Sequence, residues 1–149
     1  EMVRRGTHSL DQVSAPEIAS WVRSNPGEGK ALLHSNPSYV FFRKIGTLEP
    51  KDGPIGAMGR SITTMRSVAI DPKFTTLGAP VWIEKEGRDP IRSLMIAQDT
   101  GGAIKGMQRA DIFFGTGAGA GQAAGTVKDP GRMVLLLPID RAFAMLDAD

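Results

Sequence analysis

The 149-residue sequence predicts a mainly β protein, in which a short helical segment precedes a small barrel. Helix start signals and helical spacing of apolar residues are concentrated before Pro37. After Pro37 the chain changes to short apolar runs, rich in β-branched and aromatic residues and separated by Gly and Pro. Hydrophobic residues make up 41% of the chain and charged residues 23%, which is ordinary globular usage and argues against disorder.

Two helices are predicted in the opening segment. Ser14–Glu17 combines an N-cap serine, a first-turn proline and the glutamate of a capping box, and apolar residues on one helical face follow. This pattern predicts a helix over residues 16–24. Asn25–Glu28 repeats the start signal, so a second, shorter helix is expected to end before Asn36 and Pro37.

The rest of the chain is predicted to form strands. Several of the apolar runs are continuous rather than alternating, which predicts burial on both faces and favours a barrel filled by side chains. Most of the aromatic residues in or beside them are expected in the core. The runs are Tyr39–Phe42, Ser67–Ile70, Val81–Ile83, Leu94–Ala97, Ile112–Phe114 and Met133–Leu137.

Two further segments are predicted outside the strands. The Gly/Ala-rich stretch Gly115–Gly125 places small residues four apart, which suits a helix packed very close to the sheet. Asp140–Leu146 is predicted to form a terminal helix.

Composition excludes several classes of function. The net charge is +2 without a basic block, so nucleic acid is not an expected partner. There is no cysteine, and two isolated histidines make a Ser-His-Asp triad or a histidine zinc site improbable. We therefore expect no metal and no cofactor, and carboxylates must carry any acid-base chemistry.

The chain has no apolar run long enough to span a membrane and no signal-peptide pattern. It begins at Glu1 rather than at a methionine. We expect a fragment or a processed chain, with any export signal or lipid anchor upstream.

Three aspartates are the strongest local signal, because each begins or ends an apolar run. Asp71 follows one run, Asp99 follows another, and Asp111 precedes the aromatic run at residues 112–114. A carboxylate among apolar neighbours can be desolvated, which favours the proton-donating form. Turn capping is the alternative, and it suits Asp71 and Asp99, which stand beside Pro or near Gly. Asp111 has no such neighbour, which favours a functional role.

Two other motifs point to different chemistry. Asp99-Thr100-Gly101 matches the tripeptide of aspartic proteases, but a dyad would need a second copy of the chain. Residues 112–121 imitate a dinucleotide fingerprint, with Asp140 placed like a ribose ligand. Too few residues follow Asp140 for a doubly wound sheet, so close helix packing is the preferred interpretation.

Trp82 and Lys105 are candidates for contact with a substrate. The flat apolar ring of Trp82 could stack on a sugar, although a core position is the alternative. Lys105 could hydrogen-bond an anionic or polar group, although an exposed lysine is the ordinary case.

An ordered series of motifs resembles the membrane-bound lytic murein transglycosylase A family. They run from about Asn36 to Leu137, and the block after Met95 looks like the family's "3D" domain, named for three aspartates. Arg60–Met65 departs from the Pro/Gly turn usual in the family. The motifs are Asn36–Phe42, Gly56–Gly59, Arg66–Asp71, Leu77–Trp82, Ala97–Gly106 and Arg109–Gly117.

The resemblance implies a double-psi β-barrel. Residues 1–38 would be the helical tail of a second domain inserted into that barrel, and residues 39–149 would be the barrel portion. The barrel's first strands would then lie upstream of Glu1. This chain alone would hold part of the barrel and one wall of its groove.

The resemblance also implies an activity: cleavage of the β-1,4 bond between N-acetylmuramic acid and N-acetylglucosamine in peptidoglycan, with formation of a 1,6-anhydromuramic end. Asp111 matches the family's catalytic aspartate. Asp99 and Asp71 would order the groove or stabilise the transition state, with Lys105, Thr100, Gly101 and Trp82 as supporting or substrate-binding residues.

The expected partners are peptidoglycan glycan strands, met by a monomer in the periplasm. Contact with the outer membrane would come only through an upstream lipid anchor. The alternative function is a barrel that binds peptidoglycan without cleaving it.

Overall fold

The computed structural model describes residues 1–38, 40–46, 48–49 and 52–147. The chain divides into two compact units, Glu1–Thr47 with Gly125–Val127, and Leu48–Ala124 with Lys128–Asp149. In the described part, the helices are α1 (Ala15–Ser24), α2 (Pro26–His34), α3 (Ala118–Gly125) and α4 (Ile139–Leu146), and the strands are β1 (Ser67–Ile70), β2 (Pro80–Lys85), β3 (Ile91–Thr100), β4 (Ala110–Ile112) and β5 (Gly131–Leu135).

The first unit contains the two predicted helices. The Ser14 hydroxyl caps α1 by accepting the Glu17 amide at 3.3 Å, as the capping-box signature predicts. Helix α2 packs on α1 at Gly29, where an added Cβ would lie 2.8 Å from the Val22 carbonyl oxygen. The close approach of the two backbones therefore depends on that glycine.

The second unit is built on one five-stranded sheet of order β4-β1-β3-β2-β5. Strands β1 and β3 are parallel, and the other neighbours are antiparallel. Gln108, just before β4, accepts the Met133 amide of β5 at 2.8 Å, so the two edges of the sheet curl toward each other. The result is a curled half-barrel, which confirms the mainly β prediction.

The core lies on one face of this sheet, and it is completed at the edges by partly buried Leu77, Ile91, Ala110, Ile112 and Leu135. Burial alternates along β2, where Val81 and Ile83 are buried while Trp82 and Glu84 are half-buried. The expectation that continuous apolar runs are buried on both faces is therefore wrong for β2. The buried residues of the core are Val68, Ile70, Val81, Ile83, Met95, Ala97 and Met133.

The predicted strands are confirmed except for the first one in the chain. Ser67–Ile70 is β1 itself, and the other runs coincide with or overlap β2 to β5. Residues 40–42 form no strand, and the Phe41 and Phe42 side chains are 87% and 93% exposed, contrary to their expected place in the core. Tyr39, at the start of that run, lies outside the described residues. Strand propensity by itself does not make a strand, because a strand also needs a partner against which its side chains are buried.

The Gly/Ala-rich helix differs from its prediction. Helix α3 forms, but it buries none of its residues. A Cβ added at Gly119 or Gly121 would meet no atom within 4 Å, so these glycines do not mediate close packing on the sheet. The terminal helix α4 is confirmed, beginning one residue before the predicted start. In the part of the chain described, no helix has the length and hydropathy to cross a bilayer.

Candidate functional site

Asp99 and Asp111 reach one cavity from opposite sides of β1. Both aspartates are in register with Ala69, Asp99 from β3 and Asp111 from β4. Residues in register across a sheet present their side chains on the same face. Two strand spacings put the two backbone positions roughly 10 Å apart. The cavity has a volume of about 140 Å³ and is lined by Ile62, Ser67, Val68, Ala69, Asp99, Asp111, Ile112 and Phe113.

A β-bulge in β3 gives Asp99 this position. Val68 pairs with Ala97, but the next residue, Ala69, pairs with Asp99, so Gln98 is the extra residue. A regular ladder would pair Ala69 with Gln98 and turn the Asp99 side chain toward the core face. The bulge therefore brings the Asp99 carboxylate onto the same face as Asp111.

A hairpin of residues 55–61 fixes one oxygen of Asp99. The Ala57 amide donates to Asp99 Oδ1 at 2.9 Å, and the Met58 amide donates to the Gln98 carbonyl at 3.3 Å. At Gly56 an added Cβ would lie 2.6 Å from the Gln98 carbonyl oxygen. Only glycine lets the hairpin come this close, which explains the Gly56–Gly59 motif in physical terms.

Buried polar groups order the floor of the cavity. Ser67 is 1% exposed, and its hydroxyl accepts the Thr63 amide at 2.8 Å and donates to the Gln98 side-chain oxygen. The Ser67 hydroxyl and the Gln98 side-chain oxygen are therefore both hydrogen-bonded. Sequence reasoning did not single out Ser67, Gln98 or Ala69, because their role depends on a bulge that no local pattern marks.

Asp111 lies within β4 rather than before a strand, and it is ion-paired. Arg109 Nε donates to Asp111 Oδ1 at 2.7 Å, and Arg109 Nη2 donates to Oδ2 at 3.3 Å. The Asp111 side chain is 47% exposed, so the desolvated environment expected for it is not formed. Hydrogen bonding to this carboxylate raises the pKa of Arg109, which is therefore a cation at any relevant pH.

Asp71 is a buried clamp on the loop that leads to β4. It is 3% exposed, and its two oxygens accept the Gly106 amide at 2.9 Å and the Lys73 amide at 3.1 Å. These bonds, the one from Gly106 above all, hold the pKa of Asp71 below its usual value. Its geometry combines turn capping with a long-range contact, and it does not line the cavity.

The other candidate residues lie outside the cavity lining. Thr100 ends β3 in register with Ile70, and Gly101 begins the following loop. Lys105 is exposed in that loop, where its charge acts on Asp71. Trp82 shares the face of the two aspartates, roughly 13 Å away along the strands, and its indole N–H donates to Glu84 Oε1 at 3.0 Å.

The competing motifs lack their required geometry. The glycine-rich segment follows β4, an edge strand antiparallel to β1, whereas a dinucleotide fold places it after a parallel strand at the centre of the sheet. Asp99 lies inside β3 with one oxygen bound to Ala57, which differs from a shared-proton dyad. In the described ranges, no three His, Asp or Glu side chains are grouped to hold a metal ion.

Comparison with known proteins identifies two family models along the chain. Residues 66–137 match the 3D domain, and residues 1–43 match the MltA specific insert domain. The membrane-bound lytic murein transglycosylase A of Escherichia coli K12 is 36% identical over 144 residues, which are 91% of this chain and 38% of that protein. The chain thus spans well under half the length of this relative.

Solved structures agree with the sequence comparison. A membrane-bound lytic murein transglycosylase from Agrobacterium tumefaciens is 34% identical and superposes with a TM-score of 0.83, over 96% of this chain and 40% of that one. E. coli MltA with bound chitohexaose is 28% identical and superposes with a TM-score of 0.79, over 92% of this chain and 42% of that one. The two domain models together match most of the chain, and the chain belongs to the membrane-bound lytic murein transglycosylase A family.

Proposed function

We propose that this chain carries the catalytic carboxylate of a peptidoglycan lytic transglycosylase. The bond cleaved is the β-1,4 bond between N-acetylmuramic acid and N-acetylglucosamine, and the product carries a 1,6-anhydromuramic end. The supporting observation is that Asp99 and Asp111 flank Ala69 on one face and line one cavity. Family membership supports the reaction class, since the relatives are named lytic murein transglycosylases.

Asp111 is the proposed acid and base. As a carboxylic acid it donates its proton to the glycosidic oxygen while the bond from C1 to that oxygen breaks. The resulting carboxylate takes the proton of the C6 hydroxyl as that oxygen bonds to C1. The substrate supplies the nucleophile, so no water is consumed, and one carboxylate serves both steps where a hydrolase uses two. The half-exposed position of Asp111 leaves it within reach of a glycan.

Asp99 is the proposed electrostatic partner. Oxocarbenium-like charge develops at C1 in the transition state, and a carboxylate held in a fixed position stabilises such charge without reorganising. The Ala57 amide and the bulge hold Asp99 in that way. Asp71 is assigned an indirect role, because it orders the loop that leads to Arg109 and β4.

Peptidoglycan glycan strands are the proposed partner. We propose that a monomer binds them in the periplasm. E. coli MltA has been solved with bound chitohexaose, a linear amino-sugar chain. On this chain Trp82 lies between Leu94 and Val134, and those two side chains are 42% and 37% exposed on the face of the aspartates. This apolar row suits sugar rings several units from the cleaved bond. The relatives are named membrane-bound, which supports a cell-envelope location. Attachment to the outer membrane through an upstream lipid anchor is a further part of the proposal.

The half-barrel supports the double-psi barrel as the complete fold. In that fold, additional strands would close the barrel and supply the second wall of the groove. Residues 39–149 would be its portion in this chain, and residues 1–38 would belong to the inserted domain.

The test is product analysis with the full-length protein and purified sacculi. Asp111→Asn should abolish anhydromuropeptide release, measured by mass spectrometry, while the melting temperature stays near that of the wild type. Asp140→Asn, an exposed aspartate of α4, is the matched control. Normal anhydro products from Asp111→Asn would contradict the role of Asp111. Reducing ends from the wild type would indicate a hydrolase, and glycan retention without cleavage would indicate a binding module.

A further inference from the structure

An apolar strip leads away from the cavity across the sheet, on the face that carries Asp99 and Asp111. It consists of two rows of cross-strand neighbours, one near the cavity and one farther away. Ile96 of the near row is in register with Ser67, which lines the cavity, so the strip begins directly beside the cavity. The near row is Ile96, Pro80 and Leu136, and the far row is Leu94, Trp82 and Val134.

The apolar strip ends at a charged row. Glu84, two residues beyond Trp82 on β2, is in register with Arg92 on one side and Arg132 on the other. Arg132 is ion-paired with Glu84, and Arg92 is ion-paired with Glu86 at 3.0 Å. Because its arginines are already paired with carboxylates, this row does not favour an ionic ligand. Trp82 is therefore the last aromatic contact on the strip, roughly 13 Å along the strands from the aspartates.

The indole ring of Trp82 is held in place by this charged row. Its N–H donates to Glu84 Oε1 at 3.0 Å, and Arg132 donates to both oxygens of Glu84, at 3.0 Å and 3.1 Å. The hydrogen bonds from Arg132 above all, and then from Trp82, hold the pKa of Glu84 below its usual value, so Glu84 is a carboxylate at neutral pH. A hydrogen bond to a charged acceptor is stronger than one between neutral groups. The orientation of the ring is thus fixed before a ligand binds.

These features suit a neutral sugar ring. The apolar face of a pyranose packs on a flat aromatic ring, while the polar groups at the rim of the strip remain available to its hydroxyls. A ring that is already oriented loses little conformational entropy when the sugar stacks on it. The strip is also continuous with the cavity, so one glycan strand can occupy both.

We propose that Trp82 is the platform of a remote sugar subsite, and that Glu84 and Arg132 are positioning residues that hold its ring for stacking. A glycan strand with its scissile bond at the cavity follows the apolar strip and makes its last contact there with Trp82. Because the subsite lies far from the reacting atoms, it strengthens the binding of long strands and leaves the chemical step unchanged. This inference rests on the proposed function, which places the glycan at the cavity.

The test is the binding of chitohexaose, a β-1,4 oligomer of N-acetylglucosamine, to the full-length protein. All proteins carry Asp111→Asn, so that the glycan is bound and not consumed, and affinity is measured by calorimetry. Trp82→Ala should weaken binding roughly five- to tenfold, and Trp82→Phe, which keeps a flat ring, by less than about threefold. Chitohexaose should also shift tryptophan fluorescence to shorter wavelength. This shift should be lost in Trp82→Phe and retained in Trp21→Phe, which removes the tryptophan of α1.

The positioning role of Glu84 is tested by a double-mutant cycle. Glu84→Ala removes the acceptor of the indole N–H and should weaken chitohexaose binding about threefold, whereas Glu84→Gln keeps a side-chain oxygen and should stay within about twofold of the parent protein. In Trp82→Phe the ring has no N–H, so adding Glu84→Ala should have no further effect on affinity. An equal loss in both backgrounds would make Glu84 merely structural.

Other results would overturn the subsite itself. Unchanged affinity in Trp82→Ala would mean that the glycan does not reach Trp82. A Trp82 emission that is already that of a buried indole in the free full-length protein, and that does not respond to chitohexaose, would mean that another part of the protein covers the strip. Failure of the proposed function is detected separately, because release of anhydromuropeptides by Asp111→Asn would contradict the role of Asp111 whatever the affinity of the Trp82 variants.

Discussion

Asp99 and Asp111 lie two strands apart on one face of the sheet, each in register with the same residue of the strand between them. That residue is Ala69, whose small side chain leaves the space that forms the cavity. The parallel β1–β3 pair and the antiparallel β1–β4 pair thus bring together two carboxylates that are twelve positions apart in sequence. The predictions below test this arrangement and the contacts that hold it.

Deleting Gln98 should abolish the function of the site. Without the extra residue, the β3 ladder becomes regular and Asp99 turns to the opposite face. We expect anhydromuropeptide release to fall at least about 100-fold, since displacement of about 1 Å can cost that much. Gln98→Ala keeps the backbone length and should retain far more activity. Equal activity of the deletion variant and the wild type would mean that the register of Asp99 is irrelevant.

Enlarging Ala69 should block the cavity. Ala69→Leu adds a branched side chain between the two aspartates, where Ala69 is only half-buried, so the fold can accommodate it. We expect glycan affinity, measured by calorimetry, to weaken about tenfold or more, with the free energy of unfolding changed by less than about 1.5 kcal/mol. Ala69→Ser, a small replacement, should bind almost normally. Unchanged affinity in Ala69→Leu would place the glycan elsewhere.

The Asp71 clamp should make stability depend on pH in the acid range. Its pKa is lowered in the folded state, so its stabilisation is fully present above the unfolded value of about 3.9 and is lost as the pH falls through the lower folded value. Asp71→Asn keeps one acceptor for the two amides and should melt at a lower temperature than the wild type at neutral pH. This difference in melting temperature between Asp71→Asn and the wild type should narrow below about pH 3.9. A gap that is constant from pH 7 to pH 2 would contradict a charged clamp.

Removing Asp129 should destabilise the sheet. Lys85 is 6% exposed, and its ammonium group donates to Asp129 Oδ2 at 2.7 Å and to the carbonyls of Glu86 and Arg88. Asp129→Ala leaves this buried cation without its counter-ion, although the two carbonyl acceptors remain, and should lower the free energy of unfolding in urea by about 1 to 3 kcal/mol. The exposed ion pair between Arg92 and Glu86 provides the comparison, since Arg92→Gln should lower the free energy of unfolding by under about 1 kcal/mol. Equal losses of stability in the two variants would show that burial does not strengthen the ion pair of Lys85 with Asp129.

The sequence by itself determined the elements and the candidate aspartates. Local chemistry marks a capping box at Ser14–Glu17, β-branched residues in Ser67–Ile70 and an unexplained carboxylate at Asp111, and each signal acts within a few residues. The same local rules failed at Phe41 and Phe42, because a strand needs partners that the pattern does not reveal. They also failed for α3, whose small residues suggested packing but bury nothing.

Only the tertiary structure decided which aspartates line the same cavity. The β3 bulge turns Asp99 toward the cavity, and a bulge arises from pairing between strands far apart in sequence, so its position is not written in any local pattern. Contacts across the fold likewise made Asp71 a clamp for Gly106. The extended backbone at the start of β4 places Arg109 on the carboxylate of Asp111, two residues further along the chain. The register between strands and the long-range contact of Asp71 depend on distances in space, which sequence spacing does not set.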